Sequence, residues 1–237
     1  MIDYHTHVLP GMDDGSRSVA ESLDMLRKLK EQGVDTVYAT SHFYRKENSA
    51  DEFLLRRKEA CEMLMAAMAE SDGQLAQEML MSDMTEAGGQ FPQVLMGAEV
   101  YYFEGISRSE NIAELAKLKL EGTDLLMLEM PTTKWTRRMI EDIIALNESG
   151  KFRVLMAHIH RYYEFFSRED YERLRRNGVI FQANCEYFSG FFARRRAVKQ
   201  LNTGYIHLIG SDCHDLTRRP PNMHLVRDIL YDPRCDD

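Results

Sequence analysis

The chain has 237 residues, 44% of them hydrophobic and 29% charged, with a formal net charge of −8. That balance describes a single soluble globular domain over residues 1–237, and the acidity argues against a broad nucleic-acid surface. No apolar run approaches the length of a membrane span, so no membrane insertion is expected. A chain that opens on a strand without a basic region or apolar signal core is expected in the cytoplasm.

The first stretch, Met1-Ile2-Asp3-Tyr4-His5-Thr6-His7, reads as a strand. Alternate strand side chains share a face, so His5 and His7 point the same way, with Cα atoms roughly 6.8 Å apart. Two imidazoles at that spacing can converge on one ion. After Met12-Asp13-Asp14-Gly15, the run Ser18-Val19-Ala20-Glu21 reads as a capping box opening a helix closed by Gly33. Thr36–Thr40 is a second strand, followed by Ser41-His42. A second capping box, Ser49-Ala50-Asp51-Glu52, starts a helix expected to run to about Glu70. The connection beyond it crowds Met63, Met65, Met68, Met79, Met81 and Met84 before Gly88-Gly89, and reads as helical core filled by flexible thioethers.

Val94–Ala98 is a third strand ending at Glu99, and a helix from about Ser107 to Leu118 follows with Ser107 and Glu110 as its N-terminal pair. Leu125–Leu128 is a fourth strand ending at Glu129, with a helix from about Trp135 to Glu148. Arg153–Ala157 is a fifth, followed by His158, Ile159 and His160. Ser167 to Asp170 caps a short helix, Val179–Ala183 is a sixth strand, and a helix lies near Ala193–Leu201. Tyr205–Gly210 is the seventh strand, ending in Ser211-Asp212-Cys213-His214, and a last helix is expected at about Asn222–Leu230.

Seven alternations of strand and helix mean a parallel sheet with crossover helices. Continuous apolar strands suit a sheet buried on both faces, and a closed or nearly closed barrel accommodates them better than two domains. In such barrels functional groups gather at the C-terminal strand ends, where the metal-ligand residue types of this chain sit. The candidates are His5, His7, Asp14, His42, Glu99, Glu129, His158, Asp212 and His214. Nine donors exceed what one ion requires, so two or three ions are implied. Four clustered carboxylates also need cations to stay ionised. Nitrogen and oxygen ligation without thiolate suits manganese, iron or zinc better than calcium. Sites of this kind most often cleave phosphate esters, a bridging hydroxide attacking in line. Arg161, Arg218 and Arg219, with Arg45 a weaker fourth, are the cations that could hold a phosphoryl group. Arg45 and Arg218 read better as surface residues.

Asp3-Tyr4-His5-Thr6-His7, Met12-Asp13-Asp14-Gly15, Thr40-Ser41-His42, Gly97-Ala98-Glu99, Leu128-Glu129, Ala157-His158-Ile159-His160-Arg161-Tyr162, Ser211-Asp212-Cys213-His214 and Arg219-Pro220-Pro221 together resemble the polymerase-and-histidinol-phosphatase (PHP) superfamily. Within it the chain is similar to the manganese-dependent bacterial protein-tyrosine phosphatases of capsule and exopolysaccharide loci. The resemblance covers nearly the whole chain and implies a distorted (β/α)7 TIM-like barrel, a trinuclear metal centre and hydrolysis of phosphotyrosine. The implied partner is a phosphotyrosine protein, the tyrosine-rich tail of a bacterial tyrosine autokinase, and a homo-oligomer is compatible with the reading. All nine ligand positions of the family pattern are filled, and Arg161 and Arg219 match its phosphate-binding arginines. His160 stands where the family commonly has Glu, and is read as an acid/base or positioning imidazole rather than a ligand.

Three rivals remain: a small-molecule phosphatase such as one acting on histidinol phosphate, a PHP-type nuclease, and a non-catalytic scaffold that binds a kinase. A fourth is formal, because Cys213 to Arg219 reads Cys-x5-Arg. Cysteine chemistry needs a thiolate cradled by glycine-rich amides, and this loop has no glycine. Cys61, Cys185, Cys213 and Cys235 show no framework spacing and read as reduced thiols.

Overall fold

The computed structural model describes residues 1–82 and 89–230. Nine strand segments are present among them: β1 (Ile2–Thr6), β2 (Thr36–Ala39), β3 (His42–Phe43), β4 (Gln93–Met96), β5 (Glu99–Tyr101), β6 (Leu125–Glu129), β7 (Arg153–Met156), β8 (Ile180–Asn184) and β9 (Leu208–Gly210). Every pairing is parallel, in the orders β1-β2-β4 and β3-β5-β6-β7-β8-β9. The first and last strand positions are joined as well. Asp212 N–H donates to His5 C=O at 2.7 Å and His7 N–H to Cys213 C=O at 2.9 Å. With β2 and β3 forming one interrupted strand and β4 and β5 another, seven positions curl into a TIM-like α/β barrel.

The interruptions are the main departure from the expected strands 36–40 and 94–98. The ladder breaks at Thr40-Ser41 on one strand and at Gly97-Ala98 on its neighbour, then resumes with His42 and Glu99 as direct partners. The break admits no side chain at Gly97, where an added Cβ would meet Leu120 at 2.4 Å. Two donor residues are thereby set side by side at the mouth.

Crossover helices α1 (Val19–Glu31), α2 (Ala50–Ser82), α3 (Ser109–Leu115), α4 (Arg137–Glu148), α5 (Arg168–Arg176) and α6 (Phe191–Asn202) surround the strands, with α7 (Arg227–Leu230) after them. Ser18, Ser49 and Ser167 each accept the backbone N–H three residues on, as the sequence predicts. α2 runs twelve residues past its expected end at Glu70. The Ser71-Asp72-Gly73 stretch reads as a stop, yet one helical glycine costs only about 1 kcal/mol against alanine. Arg27 Nη2 and Gln90 Nε2 hold this part by bonds to Ser71.

The expected pair at Ser107 and Glu110 does not form. Ser107 Oγ donates instead to Asp142 Oδ1 at 2.5 Å, and the helix starts later, after Arg108, without a side-chain cap. The expected last helix is a short turn, Met223–Leu225, followed by α7 alone. His207 precedes the last strand instead of packing within it, and its Nδ1 accepts the Phe181 N–H at 3.1 Å. In the methionine-rich stretch Met68 is buried, but Met63 and Met65 are exposed, so only part of it is core. Met84 and Cys235 lie outside what is described, as do the side chains of Met79 and Met81. Trp135 is buried and stacks on Phe166. No helix is long and apolar enough to cross a membrane among the described residues.

Candidate metal centre and active site

All nine candidate donors occupy C-terminal strand ends or the loops that leave them. His5 lies on β1 and His7 just beyond it; Asp14 is in the following turn. His42, Glu99 and Glu129 are on β3, β5 and β6. His158 follows β7, and Asp212 and His214 follow β9. Three groups have donor atoms all within 4.8 Å of one another: His7, Asp14, His42 and His214; His5, His7, Glu99 and Asp212; and His42, Glu99 and Glu129. His158 is in none of these groups, but its Nε2 stands 2.9 Å from Glu99 Oε1.

Glu99 is the hub. Its Oε2 is 3.0 Å from His5 Nε2, 3.3 Å from His7 Nε2 and 3.2 Å from His42 Nδ1. Burial alone would raise its pKa, but His5, His158 and His42 outweigh that and hold it well below the carboxylate range. Asp212 is held low too, with burial opposed chiefly by His5. Glu129 takes the opposite course: burial and the Glu99 charge raise it to about 8. Four like charges at this range cannot all ionise unaided. The histidines also divide. Burial lowers His42 and His158, and burial with His7 beside it lowers His214 to about 3, leaving neutral imidazoles suited to ligation. His5 is held above its usual value by Glu99 and Asp212 against burial.

A cluster of divalent cations fits this donor set. His42 Nδ1, His214 Nε2 and Glu129 Oε2 are buried without a hydrogen-bond partner, although carboxylate oxygens lie within 3.5 Å of each of the two nitrogens. His5 Nε2 and His7 Nε2 face each other at 3.2 Å. Donors that converge with poor mutual hydrogen-bond geometry are aimed at common points between them, as ligands are.

The backbone carries strain at two of these positions. His158 has φ +31° and Asp212 φ +54°, the two non-glycine residues with positive φ among those described. Such conformations cost of order 1–3 kcal/mol, and here each turns a side chain at a strand end into the cluster. Gly15 and Gly210 make room for the histidines, since added Cβ atoms would lie 2.4 Å from His7 Cβ and 2.6 Å from His5 Cβ.

The two expected phosphate-binding arginines reach the cluster from different sides. Arg161 Nη2 donates to Asp212 Oδ2 and Arg219 Nη2 to Asp14 Oδ2, both at 2.7 Å. Arg45 and Arg218 are exposed. His160 is absent from all three donor groups; it stacks on Tyr187 at 4.9 Å and its Nε2 is 3.8 Å from Glu186 Oε1. The Cys-x5-Arg reading fails on burial. Cys213 is fully buried, with its pKa pushed far up by burial, and it has neither the access nor the thiolate that a nucleophile needs.

Sequence reasoning left out a supporting layer. Asp13 Oδ2 accepts from His7 Nδ1 at 2.8 Å and from the His42 backbone N–H at 2.7 Å, fixing the His7 imidazole and the His42 backbone at once. The Asp13-Asp14 doublet was its signal. Gln182 Oε1 accepts the His158 N–H at 2.7 Å, and Asn184 Nδ2 donates to Asp212 Oδ2 at 2.9 Å. A glutamine within an otherwise apolar strand was the visible mark there. Tyr44 and Tyr101, with ring centres 5.6 Å apart beside His42, give the mouth an aromatic wall.

A family profile described as capsular polysaccharide synthesis, CpsB/CapC, matches residues 1–233. The chain is 27% identical over 241 aligned residues to tyrosine-protein phosphatase YwqE of Bacillus subtilis, covering 98% of this chain and 83% of that protein. It is 28% identical to tyrosine-protein phosphatase CpsB of Streptococcus pneumoniae, covering 97% and 89%. Among solved structures, one from a study of YwqE from Bacillus subtilis and CpsB from Streptococcus pneumoniae, described as metal-dependent tyrosine phosphatases, superposes with a TM-score of 0.68 at 22% identity. It covers 97% of this chain and 86% of that one, a likeness of fold.

Proposed function

The chain belongs to the capsular polysaccharide synthesis CpsB/CapC family, and on that premise we propose that it is a metal-dependent phosphatase hydrolysing phosphotyrosine in proteins. The observation that carries this reading is the convergence of imidazoles and carboxylates, several of their donor atoms buried without hydrogen-bond partners, at the C-terminal mouth of the barrel.

His5, His7, Asp14, His42, Glu99, Glu129, His158, Asp212 and His214 would hold two or three divalent ions, manganese first and iron or zinc as alternatives. Bound ions would supply a water nucleophile activated at neutral pH and neutralise charge on the phosphoryl oxygens. Arg161 and Arg219 bind and orient the phosphoryl group from opposite sides. Asp13 holds the His7 ring by its Nδ1–H, leaving Nε2 free to ligate. Tyr44 and Tyr101 line the wall against which the substrate phenol packs. His160, beside Glu186 and Arg161, positions that arginine or passes a proton to the leaving oxygen. A phenol, with a pKa of about 10, leaves more readily than an aliphatic alcohol and makes little demand on such an acid.

The proposed partner is a bacterial tyrosine kinase tail in the cytoplasm, and an assembly of identical copies is compatible with this. The small-molecule alternative is favoured by no contact at the mouth, where the wall is aromatic and open. With manganese supplied, phosphotyrosine peptides are expected to turn over at least about tenfold faster than phosphoserine peptides, in kcat/KM. Equal rates, or faster turnover of histidinol phosphate, would sink the assignment.

A further inference from the structure

Beside the metal cluster, two neighbouring cavities share part of their lining. One, of about 590 Å³, is lined by His160, Arg161, Tyr163, Glu164, Arg196 and Gln200. The other, of about 460 Å³, shares Tyr163, Arg196 and Gln200 and continues to Arg168, Lys199 and Tyr205. The shared side chains set the two side by side, as the inner and outer parts of a groove. Its inner end is Arg161, whose guanidinium touches Asp212, so the groove starts at the proposed phosphoryl site and leads away from it between α5 and α6.

Its chemistry is specific. The floor of the outer part is aromatic: Phe166 and Tyr163 line it, and Tyr171 stacks on Tyr205 with ring centres 5.3 Å apart. Arg168, Arg196 and Lys199 line the outer part without a carboxylate, while Glu164 lines the inner part and Glu172 accepts from Tyr205 Oη. Three cations around the outer part stand out in a chain whose net charge is −8. Arg196, Lys199, Gln200 and Thr203 recur at helical spacing along one face of α6.

The groove is also preformed. Arg196 Nε donates to Tyr187 Oη at 3.1 Å, Tyr187 Oη to Gln200 Oε1 at 2.7 Å, and Gln200 Nε2 to Tyr163 Oη at 3.2 Å. This chain of bonds ties α6 to the loop that carries Arg161. A ligand would meet one wall whose side chains are already ordered, which lowers the entropic cost of binding.

We propose that this groove is a second recognition subsite that takes an anionic side chain flanking the phosphotyrosine of the substrate, a carboxylate or a second phosphoryl group, with an aromatic stem preferred. The proposal rests on the phosphatase reading. Arginine forks suit both anions, and the tyrosine faces suit a ring between the anion and the peptide backbone. The subsite would confer preference for substrates in which acidic or phosphorylated residues cluster around the cleaved one.

The test uses manganese-loaded protein and phosphotyrosine peptides that carry alanine, glutamate or non-hydrolysable phosphonomethyl-phenylalanine at successive flanking positions. p-Nitrophenyl phosphate, which has no flanking residue, is the control. At one or more positions the wild type is expected to favour an anionic flank over alanine by on the order of tenfold in kcat/KM. Arg168→Glu with Lys199→Glu should erase that preference and leave p-nitrophenyl phosphate turnover unchanged. The glutamate and phosphonate arms show which anion fits better. Absence of any flank preference, or its survival under charge reversal, overturns the subsite. Wild-type protein that fails on p-nitrophenyl phosphate and on all peptides would overturn the phosphatase reading instead. Fluorescence anisotropy with the phosphonate peptide then still decides the groove, since binding equal in wild type and double variant overturns it.

Discussion

Asp212→Asn is expected to lower kcat by about 10²–10³-fold and to reduce the metal content of the purified protein. Asp212 is nearly fully buried, and its Oδ1 lies 3.4 Å from His5 Nε2 and 3.5 Å from His7 Nε2. Its other oxygen accepts from Arg161 and Asn184. Asparagine keeps the shape and tolerates the left-handed backbone at φ +54° better than alanine would, so a loss can be read as loss of charge. Removing one anion leaves the proposed ions less compensated. The adjacent Cys213→Ala is the matched comparison. It removes a buried thiol without adding a hydroxyl, and should keep activity within about threefold, since surface-inaccessible sulfur takes no part in chemistry. Inductively coupled plasma analysis and phosphopeptide turnover on both variants are the measurements. Activity lost in a folded, metal-replete Cys213→Ala protein would be evidence for a cysteine nucleophile.

The second large effect separates phosphoryl binding from metal binding. Arg161→Met and Arg219→Met are each expected to retain metal while kcat/KM for phosphotyrosine peptides falls by about 10²-fold. The guanidinium of each points into the cluster yet is no ligand, because arginine stays protonated. Methionine preserves much of the apolar stem, so packing against the loops is largely kept. If an arginine served only to hold its carboxylate in place, Asp212 or Asp14, the variant would lose metal together with rate. Metal content and rate measured on one preparation distinguish the two.

The site was more legible than the fold's details, for a physical reason. Functional groups of such barrels gather at the C-terminal strand ends, and six of the seven expected strands carry or are closely followed by His, Asp or Glu, with Val179–Ala183 the exception. His158 and Asp212 were recognisable as donors, whereas their left-handed backbones were not, since side-chain type carries little information on φ outside glycine. The breaks at Thr40-Ser41 and Gly97-Ala98 were invisible for a related reason. Gly97 packs there against Leu120, which an added Cβ would meet at 2.4 Å, a contact between residues far apart in sequence. Helix α2 overran its expected end because Gly73 has an open space around it, so the only local signal for stopping was propensity. Ser107 had the composition of a cap and a better partner in Asp142, which lies 35 positions away. Asp13 shows the same limit at the site. Nothing in the doublet Asp13-Asp14 says which carboxylate belongs to the donor cluster and which holds the His7 imidazole.

The proposed chemistry depends on a cluster of metal ions at the barrel mouth. Metal stoichiometry of freshly purified, active protein, measured by inductively coupled plasma analysis against protein concentration, tests that most directly. Two or three divalent ions per chain, removed by chelation together with activity and restored by manganese, is the predicted result. One ion or none in protein that still hydrolyses phosphotyrosine would contradict it.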